Sequence, residues 1–447
     1  MNSDKLKNIT LSLTVTICIW VVSGCSTELT EPKYNDGDAD FSTYIAIGGG
    51  YVAGYSDNAL HLEHQTHSYP AILSGSFGRT SGGDFLQPLV NSGVGLGLGG
   101  NSRSEFRLVP SFCGDPYVNV LFVDSIGDQS NTSWIGAAIR YQNMGVPGTR
   151  ITDLNKQQFG DPSPFIGNVF YSRFAVNPGQ STVIGDALIQ GPTFFTLSIG
   201  LEDILGYAVS GGGFLQDSIT SVSVFESELT DIISSLTSLD ADGVITTIPD
   251  IQDLPFFGAI PWNGLVLDAN EAQDLNQVYA TINPSIQFQE GNNAFVISDT
   301  SDPSGFRQIV AGELILLSNP LDSIQCAGFG SVKPFMAAGV LTQPEIDIIN
   351  QTITDYNNAI TDVASQFGLA VTDLNASYRN LGSGYLFGGV TYTNNYVLQS
   401  LFSSDGIYPN PKGSAFIANE VIRTINNYYG ARLPLVDIHD YSGNILP

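Results

Sequence analysis

The run Thr193-Phe-Phe-Thr-Leu-Ser-Ile199 limits the fold more than any other stretch of the chain. It is almost continuously apolar over the length of a strand, so neither of its faces can be left to water. A strand covered on both faces belongs in a parallel sheet between helix layers. The next segments agree. Gly200-Leu-Glu-Asp203 leads to an amphipathic helix with Val222, Phe225, Leu229, Ile232, Leu236 and Leu239 spaced by three and four. Asp242-Gly243 ends that helix, and Val244 to Ile248 reads as the next strand. The same alternation recurs on either side. Tyr44 to Ile47 is a first strand, Ala138 to Asn143 a second, and Leu369 to Leu374 a fifth. A helix near Tyr69-Pro-Ala-Ile-Leu73 follows the first strand. A long one is capped by Thr342 and Glu345, carries Ile346, Ile349, Ile353, Tyr356, Ile360, Val363 and Phe367 on one face, and stops at Gly368. A last helix runs from about Ser414 to Tyr429. Strands alternating with helices predict an α/β protein with helices on both faces of a parallel sheet. Leu254 to Asp322, apolar islands among Gly, Pro and Asn with a short helix near Glu271 to Ile282, reads as an insertion.

The N-terminus points to an address. Lys5 and Lys7 precede the apolar run Ile9 to Val22, which is short for a membrane span, and the run ends in Val22-Ser-Gly-Cys25. That ending resembles the lipobox of bacterial lipoproteins. It implies a signal peptide over 1–24, a lipidated Cys25, a tether over 25–40 and a single domain over 41–447 with the insertion around 254–322. Ser26 after the cysteine favours the outer membrane, on its periplasmic or its cell-surface face. Buried acyl chains contribute about 0.8 kcal/mol per CH₂ to such anchoring. With a formal net charge of -27, nucleic acid is excluded as a partner. Cys18 leaves with the signal, so Cys113 and Cys326 remain, either as one disulfide or as two buried thiols.

Ligand sites in parallel sheets lie beyond the carboxyl ends of the strands. Four segments fall there: Gly48-Gly-Gly50, Gly145-Val-Pro-Gly148, Gly200-Leu-Glu-Asp203 and Asp405-Gly-Ile-Tyr-Pro409. The glycine-rich stretch Gly93 to Gly100 is a surface loop instead, because no Lys-Ser/Thr follows it and a phosphate cradle has different spacing. Taken in order, the four segments resemble the sequence blocks of the SGNH hydrolases, the GDSL esterase/lipase family, over roughly Phe41 to Leu433. The strings Ile248-Pro-Asp-Ile251 and Tyr408-Pro-Asn-Pro-Lys-Gly413 also fit. The resemblance implies a three-layer α/β/α sandwich with a flavodoxin-like, five-stranded parallel sheet and no cofactor. In that family a block-one serine attacks, a glycine N–H and an asparagine side chain join the serine N–H in the oxyanion hole, and an Asp-x-x-His supplies the base.

Carried over residue by residue, the catalytic set is not intact. Gly50 stands at the nucleophile, Gly148 is retained, Glu202 replaces the asparagine beside Asp203, and Asp405 remains while Tyr408 replaces the histidine. Loss of a triad nucleophile costs on the order of 10⁶ in turnover. An ionised Glu202 about 4 Å from a developing oxyanion would repel it by roughly 4 kcal/mol at an effective dielectric near 20. A phenol with a reference pKa near 10 is a poor base at neutral pH. The expectation is a cell-envelope lipoprotein that is catalytically inactive and uses the former active-site cleft, at Gly50, Gly148, Glu202, Asp203, Asp405 and Tyr408, to bind a glycan or an ester-bearing ligand. Two alternatives stand beside it: ester hydrolysis of carboxylesterase, acetylesterase or lipase type by other residues, such as Ser56 with a nearby histidine, and a purely structural envelope role. Three more readings concern neighbouring residues. His61, His64 and His67 could share a helical face and hold a metal, but a polar surface turn is the expectation and no metal is assigned. Glu202, Asp203 and Asp405 could crowd one another and keep one carboxyl protonated, or bind Ca²⁺. The expectation is that Asp203 and Asp405 cap loops and Glu202 is solvated.

Overall fold

The computed structural model describes residues 33–111, 113–114, 116–136, 140–163, 166–213 and 218–447. The signal peptide, Cys25 and the start of the tether lie outside the described residues, as do Ala138 and Ile139 of the expected second strand. Among the described residues no helix is long and apolar enough to cross a membrane.

Five strands form the central sheet: β1 (Tyr44–Gly48), β2 (Asn143–Gly145), β3 (Phe194–Ser198), β4 (Asp242–Thr246) and β5 (Ala370–Thr372). Their order is β2-β1-β3-β4-β5 and every pairing is parallel. This is the flavodoxin-like order. Right-handed crossovers dictate the layers. The chain moves one way from β1 to β2 and the opposite way from β3 through β5, so the connecting helices fall on opposite faces. On one side α1 (Tyr69–Phe77) packs against the last helix, α5 (Pro411–Tyr428). On the other, α3 (Val222–Thr237) packs against α4 (Gln343–Phe367), with Phe225 and Tyr356 stacked 3.9 Å apart. A shorter helix, α2 (Glu202–Val209), follows β3 directly. The Thr342–Glu345 capping box and the left-handed Gly368 bound α4 as its sequence predicts.

Four boundaries differ from expectation, each for a packing reason. Strand β2 begins at Asn143, where it meets Ala46 in register. Strand β4 begins at Asp242 because Gly243 is a sheet position: the ring of Phe195 lies where its side chain would be, 2.6 Å from an ideal Cβ. Asn35 to Asp40 is docked instead of forming a free tether, since Asn35 bridges to Arg432 and the Asp38 N–H donates to Tyr429 O at 2.8 Å. The insertion is larger than 254–322. It builds its own small core from Leu265, Leu275, Phe288, Phe295 and Ile297, and that core extends to Phe335 and Val340. Its helix is Ala269–Tyr279, capped by Asp268 and Glu271.

An antiparallel hairpin, Ser104–Val109 with Tyr117–Phe122, was not expected from the sequence. Cys113, in the loop that joins its strands, is joined to Cys326 in a disulfide, with their Cα atoms 5.5 Å apart, so of the two expected alternatives the chain takes the bridge.

Candidate functional site

The site lies where the strand order reverses, between the carboxyl ends of β1 and β3, which is where a doubly wound sheet opens a crevice. Strand β1 runs into the turn without a break. Gly48 has φ +147, and an ideal Cβ there would sit 2.0 Å from Ser198 O, so only glycine lets the two strand ends approach this closely. One helical turn, Gly50–Ala53, follows.

Glu202 enters the turn from the start of α2. Its Oε1 accepts the Gly50 N–H at 2.7 Å. An ideal Cβ on Gly49 would lie 2.3 Å from the same oxygen. Glu202 is therefore not solvated, and the expectation that it would be is corrected: its carboxyl is buried against the glycine turn. Burial pushes it up to about 7, against the pull of the Gly50 N–H and with Asp203 adding to the rise. The carboxyl is thus held near the balance of its two protonation states at neutral pH, which is the behaviour expected of a desolvated acid.

Tyr408 fills the remaining space. Its Cε1 would be 2.3 Å from a Cβ on Gly50, so the ring stands where any side chain at this position would start. Tyr51 and Tyr55 hold it edge-on at 5.7 and 5.1 Å between ring centroids, and its hydroxyl reaches Glu202 Oε1 at 3.5 Å. Burial and the adjoining Glu202 charge put the phenol well above its ordinary value, so it is no base. Asp405 serves the same plug. Its Oδ1 accepts the N–H groups of Ile407 and Tyr408, both at 2.8 Å, and its Oδ2 accepts the Asn58 N–H at 3.2 Å. Asp203 accepts the Ile151 N–H at 3.0 Å. Both acids cap loops as expected, and burial raises each to about 6. Gly148 follows β2 at φ +73 with the Leu98 side chain over it. Between Gly49, Tyr51, Glu202 and Ile248 a cavity of only about 10 Å³ remains.

A second constellation stands beside this plug. Tyr55–Ser56 and Ala59–Leu60 pair as a tight hairpin whose tip residues, Asp57 and Asn58, have φ of 52 and 62. Two successive left-handed residues make the turn that matches strand twist, and Asp and Asn tolerate it. The tip is pinned to the segment before Asp405: Asp57 Oδ1 accepts from Ser404 N at 2.8 Å and from Ser404 Oγ at 2.7 Å. Its Oδ2 faces His61 Nε2 at 3.5 Å and His64 Nε2 at 3.7 Å. His64 turns its Nδ1 to Ser56 Oγ. The expected polar surface turn is thus a buried cluster, with His61 only 1% exposed. The helix here spans just Leu62–Thr66, too short for three histidines to share a face. His67 is set apart, its Nδ1 on Glu63 O and its ring against Tyr441. Burial, with His61 beside it, pushes His64 down to about 3. Burial works to raise Asp57, but His61, His64 and the Ser404 hydroxyl together hold it well below the usual carboxylate range. A cavity of about 310 Å³ opens over His64 and Asp57, walled by Arg103, Arg107 and Ser404. Asp57 and Arg103 were missed in the sequence, although Asp57-Asn58 between short apolar pairs is itself a turn signal.

The sheet has the flavodoxin-like order that the resemblance implies, and the segments after β1 and β3 meet the Asp405–Tyr408 segment at the turn. No family model matches the chain, and no curated protein matches it. Solved structures similar to it include an acetylxylan esterase from Geobacillus stearothermophilus, at 10% identity over 88% of this chain and 98% of that one, with a TM-score of 0.36. Another is LAE5, an α/β hydrolase enzyme from the metagenome of Lake Arreo, at 11% identity over 87% and 96%, with a TM-score of 0.37. A third is a lipase/acylhydrolase from Enterococcus faecalis, at 11% identity over 88% and 98%, with a TM-score of 0.33. Nothing about chemistry follows from likenesses at this level.

Proposed function

We propose that this protein is a lipid-anchored component of the cell envelope, on the outer membrane, that keeps the scaffold of an ester hydrolase without its chemistry. One observation carries the reading: the Gly50 N–H is bonded to Glu202 while the Tyr408 ring occupies the nucleophile's place. An acyl transfer at this turn has no hydroxyl to attack with, no vacancy for the carbonyl oxygen and no base. The disulfide between Cys113 and Cys326 supports an extracytoplasmic location. Binding of a glycan or ester-bearing ligand at the former cleft requires Tyr408 and Glu202 to move, because about 10 Å³ holds neither. The ligand surface is instead the adjacent cavity of about 310 Å³ that Asp57, His64, Arg103 and Arg107 line.

Ser56, His64 and Asp57 favour a second reading, since they are the residue types of a hydrolytic triad in contact with one another. Ser56 is fully buried, however, and is not among the residues that line the cavity, so a substrate carbonyl has no approach to its hydroxyl. The two readings part in one experiment. The protein is incubated with short-chain nitrophenyl esters and a fluorophosphonate probe. Neither turnover nor labelling is expected, and labelling abolished by Ser56→Ala would establish the hydrolase instead. If acetylated oligosaccharides and lipid esters all leave the melting temperature unmoved, the structural envelope role replaces the binding one.

A further inference from the structure

We propose that Asp57, His61 and His64 form a binding site for Zn²⁺, with a fourth position open to the cavity beside them. Each residue brings one donor atom within 4.8 Å of the other two. Tetrahedral zinc with bonds of about 2.0–2.1 Å sets its donors roughly 3.3 Å apart. The 3.5 Å and 3.7 Å separations from Asp57 Oδ2 to the two Nε2 atoms need only small adjustments to meet that. They are also too long for good hydrogen bonds, so the three groups face one another without satisfying one another.

His61 makes the case for a ligand. Its ring is buried, and neither Nδ1 nor Nε2 has a hydrogen-bond partner. A buried imidazole with both nitrogens unsatisfied is costly, and a metal on Nε2 would remove that cost at the nitrogen facing Asp57. The other two residues have the outer-shell partners that metal ligands need. The Asp57 carboxylate spends Oδ1 on Ser404 N and Oγ and leaves Oδ2 free. His64 gives Nδ1 to Ser56 Oγ, which leaves its Nε2 lone pair for a cation. Two imidazoles and one carboxylate suit a borderline divalent ion better than Ca²⁺ or Mg²⁺, which take oxygen. His64 and Asp57 line the cavity of about 310 Å³, so water or an anionic group can complete the coordination from that side. None of this depends on whether the Gly50 turn is inert.

The test uses the full-length chain, stripped with a chelator and titrated with zinc chloride against a chromophoric competitor, with bound metal counted by mass spectrometry. One zinc per chain is expected. His61→Gln and His64→Gln should each weaken binding by about 100-fold or more, and Ser56→Ala by about 10- to 100-fold through the loosened His64 ring. His67→Gln should bind as the wild type does. X-ray absorption of the zinc-loaded wild type should report two imidazoles with oxygen and no sulfur, and it decides the matter even if a variant fails to fold. Failure of the wild type to retain zinc, a shell without two imidazoles, or loss of zinc in His67→Gln each overturns the site.

Discussion

Glu202→Gln tests the plug directly, because it removes a charge and changes almost nothing else. Gln keeps a carbonyl oxygen to accept the Gly50 N–H, which Glu202 accepts at 2.7 Å. The wild-type carboxyl is raised from 4.5 to about 7, chiefly by burial. A carboxyl raised on folding binds its proton more tightly in the native chain than in the unfolded one. Its contribution to stability is therefore fully present below pH 4.5 and is lost as pH rises through 7. At about 1.36 kcal/mol per pKa unit, the wild type loses roughly 3 kcal/mol at this residue between pH 4 and pH 8. The Gln variant loses nothing there. Urea unfolding of both proteins at pH 4, 6 and 8, with the disulfide intact, should give nearly equal stabilities at pH 4. At pH 8 the variant should lead by about 3 kcal/mol. A stability difference that stays constant across that range would mean that Glu202 does not titrate in a buried place, and the reading of the turn as a sealed carboxylate site would be refuted.

Two further perturbations probe the same packing and the cross-link. Gly50→Ser restores a nucleophile but drives its Cβ to 2.3 Å from the Tyr408 ring, so a loss of about 1–3 kcal/mol with no esterase turnover is expected. Adding Tyr408→His should recover part of that loss, and a cycle of the two single variants and the double variant, read by urea midpoints, should show a favourable coupling. The disulfide bridges a sequence separation of 213 residues. Replacing both Cys113 and Cys326 by Ala should lower unfolding stability by up to about 5 kcal/mol on the chain-entropy account. Equal stability in reduced and oxidised wild type would contradict that expectation.

The architecture was legible because its signals are local. Buried parallel strands are apolar along their length, and α4 announces both of its ends with Thr342, Glu345 and Gly368. Gly50, Glu202, Asp405 and Tyr408, singled out by the resemblance, do come together at one turn. Their contacts were not legible in the sequence. That Tyr408 covers Gly50 is a tertiary fact between residues at opposite ends of the domain, and no periodicity encodes it. Glu202 was misjudged because a carboxylate beside a glycine turn is ordinarily solvated, and only the fold buries it. The histidines misled through their spacing: i, i+3 and i+6 suggest one helical face, but His61 is an extended residue at φ -139 and the third partner is Asp57 on a turn. The hairpin carrying Arg107 was missed because Leu108, Leu121 and Phe122 are exposed and blur the alternation that marks a strand.

The groups that meet at the turn are mutually dependent. A glycine without a covering group leaves a vacancy, and a buried carboxylate without a donor is a charge without a partner. Here each group supplies what another lacks. Gly50 has no side chain, which makes room for the Tyr408 ring. The Gly50 N–H satisfies Glu202. Asp405 fixes the backbone of Tyr408. The cavity beside Gly49, Tyr51 and Glu202 is only about 10 Å³. A ligand entering at Gly50 would have to displace a buried aromatic ring and break the Gly50–Glu202 bond together. No such displacement is needed at the cavity of about 310 Å³ over Asp57 and His64.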